Sequence, residues 1–396
     1  MQFYDLVVVG GGMSAMSAIK TFRAMDSVSS VLMLSDQPDL PIRKPPLSKQ
    51  LWSGGMAVAD VFYNPSRFKA NFLPRTRISQ VDFRRRMLTL SSGEKVRYNQ
   101  LLLATGLTPV MLPGEGAETI YFNTLSDYKK LKMAVGPSSD IVVLGGGLLA
   151  VELAAALQSE AGSVKLAFPG AWPLDRYLPS SFGSRVISEL QASNIECLGG
   201  RRAKEVASNG EVYFEKGDAI RGDIIVPVIG QRPSLSFLDD LGIDYQNGLM
   251  VEPNLRVKGL DDVFACGDII RLDGYRERCP HEENALRSGA LVGRILAGAE
   301  EAFVPSTFLY SEFLGMRLES IGFGKAKECQ VAAERWENEA KRGMAVLSRN
   351  NEIERLALIN YQIDPSNADI LAKRIIGKKS PENSSDLIRF VMKSAA

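Results

Sequence analysis

The chain is poor in the side chains that build metal sites and disulfides: 396 residues hold one histidine and four cysteines. Cys197, Cys266, Cys279 and Cys329 make no C-x-x-C pair and no metal-ligand spacing, which argues against zinc and structural disulfides and suits a reducing cytoplasm. No apolar run reaches about 18 residues, so no membrane-spanning helix is expected. A strand begins already at Phe3, which leaves no room for an export signal ahead of it. Charge of one sign is lacking too: the formal net charge is +1, with no excess to favour nucleic acid or an anionic membrane. Low-complexity linkers and short repeats are missing as well. What remains is an ordinary globular composition, long enough for two or three domains of roughly 100 to 200 residues each.

Glycine is where the sequence is rich. Phe3-Tyr4-Asp5-Leu6-Val7-Val8-Val9 runs into Gly10-Gly11-Gly12-Met13-Ser14-Ala15, and Asp140-Ile141-Val142-Val143-Leu144 runs into Gly145-Gly146-Gly147-Leu148-Leu149-Ala150. Each is an apolar strand, a glycine turn and a helix. The first glycine makes the turn, the second lets backbone reach a pyrophosphate, and the small third residue packs helix on strand. Two copies in matching context predict two dinucleotide sites in one chain. In such a unit an acidic residue about 20 positions past the glycines meets a ribose diol; Asp36, after the expected helix Met13 to Ala24 and strand Ser30 to Leu34, fits that role. The alternative is an ordinary turn aspartate in Asp36-Gln37-Pro38-Asp39.

A proline-rich loop follows at Pro41 to Lys49, then short strands up to Leu101-Leu102-Leu103-Ala104-Thr105-Gly106. The second βαβ unit ends with a strand in Gly222 to Gly230. Val263-Phe264-Ala265-Cys266-Gly267-Asp268 and a helix from about His281 to Leu296 return to the first domain. A tail has strands at Met344 to Leu347 and Leu356 to Asn360, and helices near Asn367 to Ile376 and Ser385 to Met392. The fold class expected is α/β, with two Rossmann-like dinucleotide-binding domains and a C-terminal α+β module. Residues 1–115 with 240–315 would make the first domain, 116–239 the second and 316–396 the third.

Leu40-Pro41, Lys44-Pro45-Pro46-Leu47-Ser48-Lys49, the Ala104-Thr105-Gly106 turn, Ala150-Val151-Glu152-Leu153-Ala154 and Ala265-Cys266-Gly267-Asp268 together resemble the two-dinucleotide-domain flavoprotein reductases. The proline-rich loop is most similar to apoptosis-inducing-factor-like flavoproteins and to the ferredoxin reductases that serve Rieske dioxygenases and bacterial cytochromes P450. The resemblance implies FAD at Gly10, Gly12, Ser14, Ala15, Asp36, Lys44, Lys49, Thr105, Gly106, Gly267 and Asp268. It implies NADH or NADPH at Gly145, Gly147, Ala150 and Gly230. Glu152 would hold Lys49 beside the flavin N5 edge, where a cation stabilises charge on the reduced ring; these two are the catalytic candidates. His281 or Glu282 would border the ring.

Three departures stand out. Ile42 and Lys44 replace an aromatic residue and an arginine in the proline-rich loop. Gly170, just past the Val164 to Phe168 strand, supplies neither the acid that suits NADH nor the base that suits NADPH; Arg176 follows a few residues on. Tyr310 stands where the family carries a tryptophan. Without a cysteine pair the disulfide-reductase route is closed, so the resemblance implies an FAD-dependent NAD(P)H oxidoreductase passing hydride to flavin N5 and then electrons to a ferredoxin-type iron–sulfur protein. Arg75, Arg77, Arg84, Arg85 and Arg86 are the basic candidates for docking an acidic carrier. A slow, regulatory apoptosis-inducing-factor-like protein and a flavoenzyme acting directly on a small organic substrate are the alternatives, and a homodimer through the tail stays open.

Overall fold

The computed structural model describes residues 2–114 and 118–379, together with Asp386, Ile388, Arg389 and Val391. It contains two compact units. One is Met1–Pro46, Met56–Thr108 and Gln231–Ser306; the other is Leu47–Gly55, Pro109–Gly230 and Thr307–Ala396.

The first unit is built on a sheet whose centre is parallel, in the order Ala70–Leu73, Val31–Leu34, Gln2–Val9, Lys95–Leu103. The nine-residue strand Lys95–Leu103 serves two partners in succession. Its first half pairs antiparallel with Met87–Leu90 and its last three residues pair parallel with Val263–Ala265. The sequence divides the same way. Lys95-Val96-Arg97-Tyr98 alternates exposed and buried, as a strand with one wet face must, whereas Leu101-Leu102-Leu103 is buried throughout, as a parallel strand covered on both faces must be.

Helices Met13–Met25 and Glu282–Leu296 cover one face and nearly touch. A Cβ on Gly289 would lie 2.3 Å from Ser14 O, and one on Gly293 the same distance from Ala18 O. Only glycine admits that approach, and it brings Thr21 Oγ1 and Ser17 Oγ each within 2.9 Å of a carbonyl of the facing helix, at Ala290 and Leu286.

The second unit repeats the parallel theme in the order Ile195–Leu198, Ser163–Ala167, Asp140–Leu144, Ile224–Pro227, Glu118–Thr119, with helices Leu148–Leu157 and Ser180–Ala192. It also holds a five-stranded antiparallel sheet: Phe308–Phe313, Met316–Gly322, Glu352–Ile359, Arg342–Arg349 and Gln330–Glu337. Helix Pro365–Ile375 lays Ala368, Leu371 and Ile375 on this sheet against Met344, Val346, Leu356 and Leu358. Asp364 caps it, accepting from the Ser366 N–H at 2.8 Å. Of the helix expected at Ser385 to Met392, Asp386, Ile388, Arg389 and Val391 are helical and the other residues lie outside those described. Among the described residues no helix is long and apolar enough to cross a membrane.

Candidate functional site

The two glycine turns have the same construction. Gly10 has φ +121° and Gly145 φ +134°, both outside what an L side chain tolerates, and each abuts a carbonyl: a Cβ would sit 2.1 Å from Ala104 O at Gly10 and 2.4 Å from Val228 O at Gly145. Gly12 and Gly147 are different. Both are extended N-cap residues whose helices have no side-chain cap, and a Cβ at either position meets nothing within 4 Å. The turn is therefore closed toward the protein at its first glycine and open at its third, with helix N–H groups facing the opening. Ala15 and Ala150 are fully buried behind it.

Around the first turn, two polar atoms have no protein partner although they are buried: Thr105 Oγ1 and Asp268 Oδ1. Burial raises the Asp268 carboxyl above its ordinary value of 3.8 despite Lys44, His281 and Arg278 nearby. Gly267, at φ +78°, brings its backbone against Ser14, where a Cβ would lie 2.6 Å from Oγ, and its N–H donates to Ser288 Oγ at 3.0 Å. Orphaned acceptors beside an open helix N-terminus fit the hydroxyl-bearing, pyrophosphate-bridged chain of FAD.

A raised carboxyl carries a stability consequence. Between pH 3.8 and the higher folded value only the folded state holds the proton, so stability falls as pH rises through that window. Asp268→Asn is therefore expected to melt several degrees above wild type as apoprotein at pH 7, with the gap closing near pH 3, while its FAD is lost on purification. Thermal denaturation of both apoproteins across pH checks this; a pH-independent gap would contradict it.

In the second unit, Glu152 projects from helix Leu148–Leu157 into a buried polar cluster. Ser48 Oγ donates to Oε2 at 2.6 Å, Ser311 Oγ donates to Oε1 at 2.5 Å, and Lys49 Nζ lies 3.0 Å from Oε1. Glu152 is 8% exposed, and the Lys49 side chain 16%. A buried carboxylate needs this many donors. Lys49 Nζ also stands 5.6 Å from the Tyr310 ring centroid, whose ring carries the Arg317 guanidinium at 4.3 Å. Arg317 is held by Glu312 and the buried Glu319.

Lys49 owes its place to aromatic residues that sequence reasoning passed over. Trp52 Nε1 donates to Leu47 O at 2.8 Å, and Tyr128, edge-on to Trp52 at 5.3 Å, donates its hydroxyl to Leu51 O at 3.1 Å. Leu47–Gly55 is thereby clamped to the second unit, although its sequence neighbours on both sides belong to the first.

The remaining candidates are dispersed. Asp36 follows strand Val31–Leu34 after Ser35 and lies 3.5 Å from Arg77. Gly106 and Gly230 have φ +69° and +136°. His281 caps helix Glu282–Leu296, its Nδ1 accepting from the Glu283 N–H at 3.3 Å, and Glu282 is in the first turn. Arg84, Arg85 and Arg86 form the tip of the hairpin between Ile78–Asp82 and Met87–Leu90; Arg86 pairs with Asp262, and Arg85 approaches Asp82 at 3.8 Å. Arg75 is at the other end of the strand, in a left-handed turn at φ +51°.

A sequence-family model described as pyridine nucleotide-disulphide oxidoreductase matches residues 4–289. Rubredoxin-NAD(+) reductase of Pseudomonas putida is 25% identical over 343 residues, covering 83% of this chain and 89% of that protein. The ferredoxin–NAD(+) reductase component of the anthranilate 1,2-dioxygenase system of Burkholderia cepacia is 26% identical over 342 residues, covering 82% and 83%. Among solved structures, a chain of the covalent putidaredoxin reductase–putidaredoxin complex superposes with a TM-score of 0.86 at 19% identity, covering 99% of each chain.

Proposed function

Because the chain belongs to the pyridine nucleotide-disulphide oxidoreductase family, we propose that it is an FAD-dependent NAD(P)H oxidoreductase that hands electrons to a ferredoxin-type iron–sulfur protein. The observation that carries this reading is the doubled turn, closed at Gly10 and Gly145 and open at Gly12 and Gly147. In this reading residues 1–115 with 240–315 hold FAD, 116–239 hold the nicotinamide dinucleotide, and 316–396 complete the enzyme. When bound, FAD supplies a ring that accepts two electrons together and releases them singly.

The chain's own contribution is binding and electrostatics. Gly12 and the uncapped helix behind it receive the pyrophosphate, Thr105 and Asp268 take hydroxyls, and Lys44 adds positive charge. Lys49 supplies a fixed cation where negative charge develops. Glu152 holds that ammonium in place, and Ser48 and Ser311 fix the carboxylate, so no reorganisation is needed during the reaction.

The thiols support an acceptor other than a disulfide. None of the four cysteines is in a disulfide, and burial pushes Cys266 up to about 12 and Cys197 up to about 11, far from the thiolate that exchange chemistry needs. Cysteines left out of disulfides also favour a cytoplasmic setting. The rubredoxin and ferredoxin reductases among the relatives favour a small iron–sulfur protein as acceptor.

NADH- or NADPH-dependent reduction of an added ferredoxin or rubredoxin by the purified holoprotein tests the proposal. Dye reduction without transfer to any iron–sulfur protein would refute the acceptor. Docking is assigned to the Arg84-Arg85-Arg86 tip, so the triple glutamate variant is expected to lose carrier reduction at least about tenfold at low salt while dye reduction holds. Equal loss of both activities would remove the tip from docking.

A further inference from the structure

We propose that Asp175 reads the adenosine ribose of the dinucleotide at the second turn and makes the site prefer NADH over NADPH. This rests on the reading of that turn as a nicotinamide dinucleotide site.

In a parallel sheet of this type, the side chain at the carboxyl end of the strand next to the glycine turn decides between a ribose diol and a 2′-phosphate. Here that strand is Ser163–Ala167, paired with Asp140–Leu144; Phe168 just beyond it is buried, and Gly170, two residues further on, has no side chain. The space is nevertheless filled by a carboxylate. A Cβ built on Gly170 would lie 2.7 Å from Asp175 Oδ2. The loop brings Asp175 back by an anchored, strained turn. Leu174 donates its N–H to Gly146 O at 2.7 Å, inside the glycine fingerprint itself, and does so in the left-handed region at φ +63° with its side chain buried. A branched apolar residue in that conformation persists only where its surroundings impose it. Asp175 is the next residue.

The carboxylate is also held from the other side. Lys327 Nζ donates to Oδ2 at 2.8 Å, the Lys327 N–H donates to Asp175 O at 3.0 Å, and the Ala326 N–H donates to Arg176 O at 2.8 Å. A carboxylate has acceptor capacity well beyond the bond from Lys327, enough for a vicinal diol. Lys327 and Arg176 are the groups that would instead welcome a 2′-phosphate. Lys327 is already neutralised by Asp175, so an arriving phosphate meets a carboxylate at close range.

Calorimetric titration of the oxidised holoprotein with ADP-ribose and with its 2′-phosphate tests this, since neither ligand can reduce the flavin. Wild type is expected to bind ADP-ribose at least about tenfold more tightly, and Asp175→Ala to weaken ADP-ribose about tenfold and bring the ratio near one. Lys327→Met should keep the preference for the unphosphorylated ligand. Preference of wild type for the 2′-phosphate, or an unchanged ratio in Asp175→Ala, overturns the assignment. Failure of both ligands to bind wild type overturns the nucleotide reading of the second turn and this proposal with it, whereas equal binding overturns the role of Asp175 alone.

Discussion

A Lys49→Met protein is expected to retain its FAD and to be reduced by its nicotinamide donor about 10² to 10³ times more slowly than wild type, the loss typical of removing one preorganised donor from a site of developing charge. The geometry makes the case. Lys49 is a largely buried cation with its charge fixed by Glu152 at 3.0 Å, and Glu152 is itself fixed by two serine hydroxyls. Methionine matches the length and apolar volume of the lysine stem and keeps the Trp52–Tyr128 clamp, so the change removes charge without moving the segment. It leaves Glu152 with its two hydroxyl donors, which limits the cost in stability to less than the roughly 3 to 5 kcal/mol of a fully orphaned buried charge. Rapid-mixing absorbance of the flavin separates the outcomes: a slowed bleach with native FAD content supports the electrostatic role, and an unchanged rate excludes it.

Gly12→Ser is expected to separate stability from binding. Serine is among the preferred N-cap residues, Gly12 is already extended at φ −104°, and a Cβ there meets no protein atom within 4 Å. The apoprotein should therefore be as stable as wild type or a few tenths of a kcal/mol more so. FAD affinity should nevertheless fall by about 10- to 100-fold, because the side chain occupies the path by which a pyrophosphate reaches the helix N–H groups, at the cost of about one hydrogen bond to a charged group. Gly10→Ala should do the reverse damage: a Cβ 2.1 Å from Ala104 O at φ +121° forces the turn apart, so the fold itself loses stability. Apoprotein melting and FAD titration of the two variants give the contrast. Equal destabilisation by both would mean that the space at Gly12 belongs to the protein and not to a ligand.

The glycine turns were legible because everything they require is local: an apolar strand, a positive-φ glycine, an open N-cap and a small residue occur within about ten consecutive positions. The long strand Lys95–Leu103 was legible for the same reason, its alternation giving way to a leucine run where it becomes covered on both faces. The polar cluster was not. Ser48 and Ser311 lie 104 and 159 residues from Glu152, and no periodicity links hydroxyls so far apart. Lys49 and Glu152 came from a family resemblance alone. Trp52 carried a weak signal, since a large aromatic next to a functional lysine has to pack on something, but nothing in the sequence points to Tyr128, 77 residues from Leu51.

Gly170 shows the limit most clearly. As a sequence position it is an empty one, and only the left-handed turn at Leu174, a conformation no composition rule assigns to leucine, brings Asp175 against it. The histidine, by contrast, takes a role its position before the helix allowed, with Nδ1 accepting from Glu283 N–H. The Arg84 to Arg86 run is a hairpin tip whose partner Asp262 is remote in sequence.

The most direct test of the whole account is anaerobic rapid mixing of the purified yellow holoprotein with NADH, followed by a second mix with oxidised ferredoxin. The flavin absorbance is expected to bleach quickly, at a rate saturating with NADH, and to return as the iron–sulfur protein is reduced. A flavin that stays oxidised in both NADH and NADPH would contradict it, leaving two nucleotide-binding turns without the redox chemistry assigned to them.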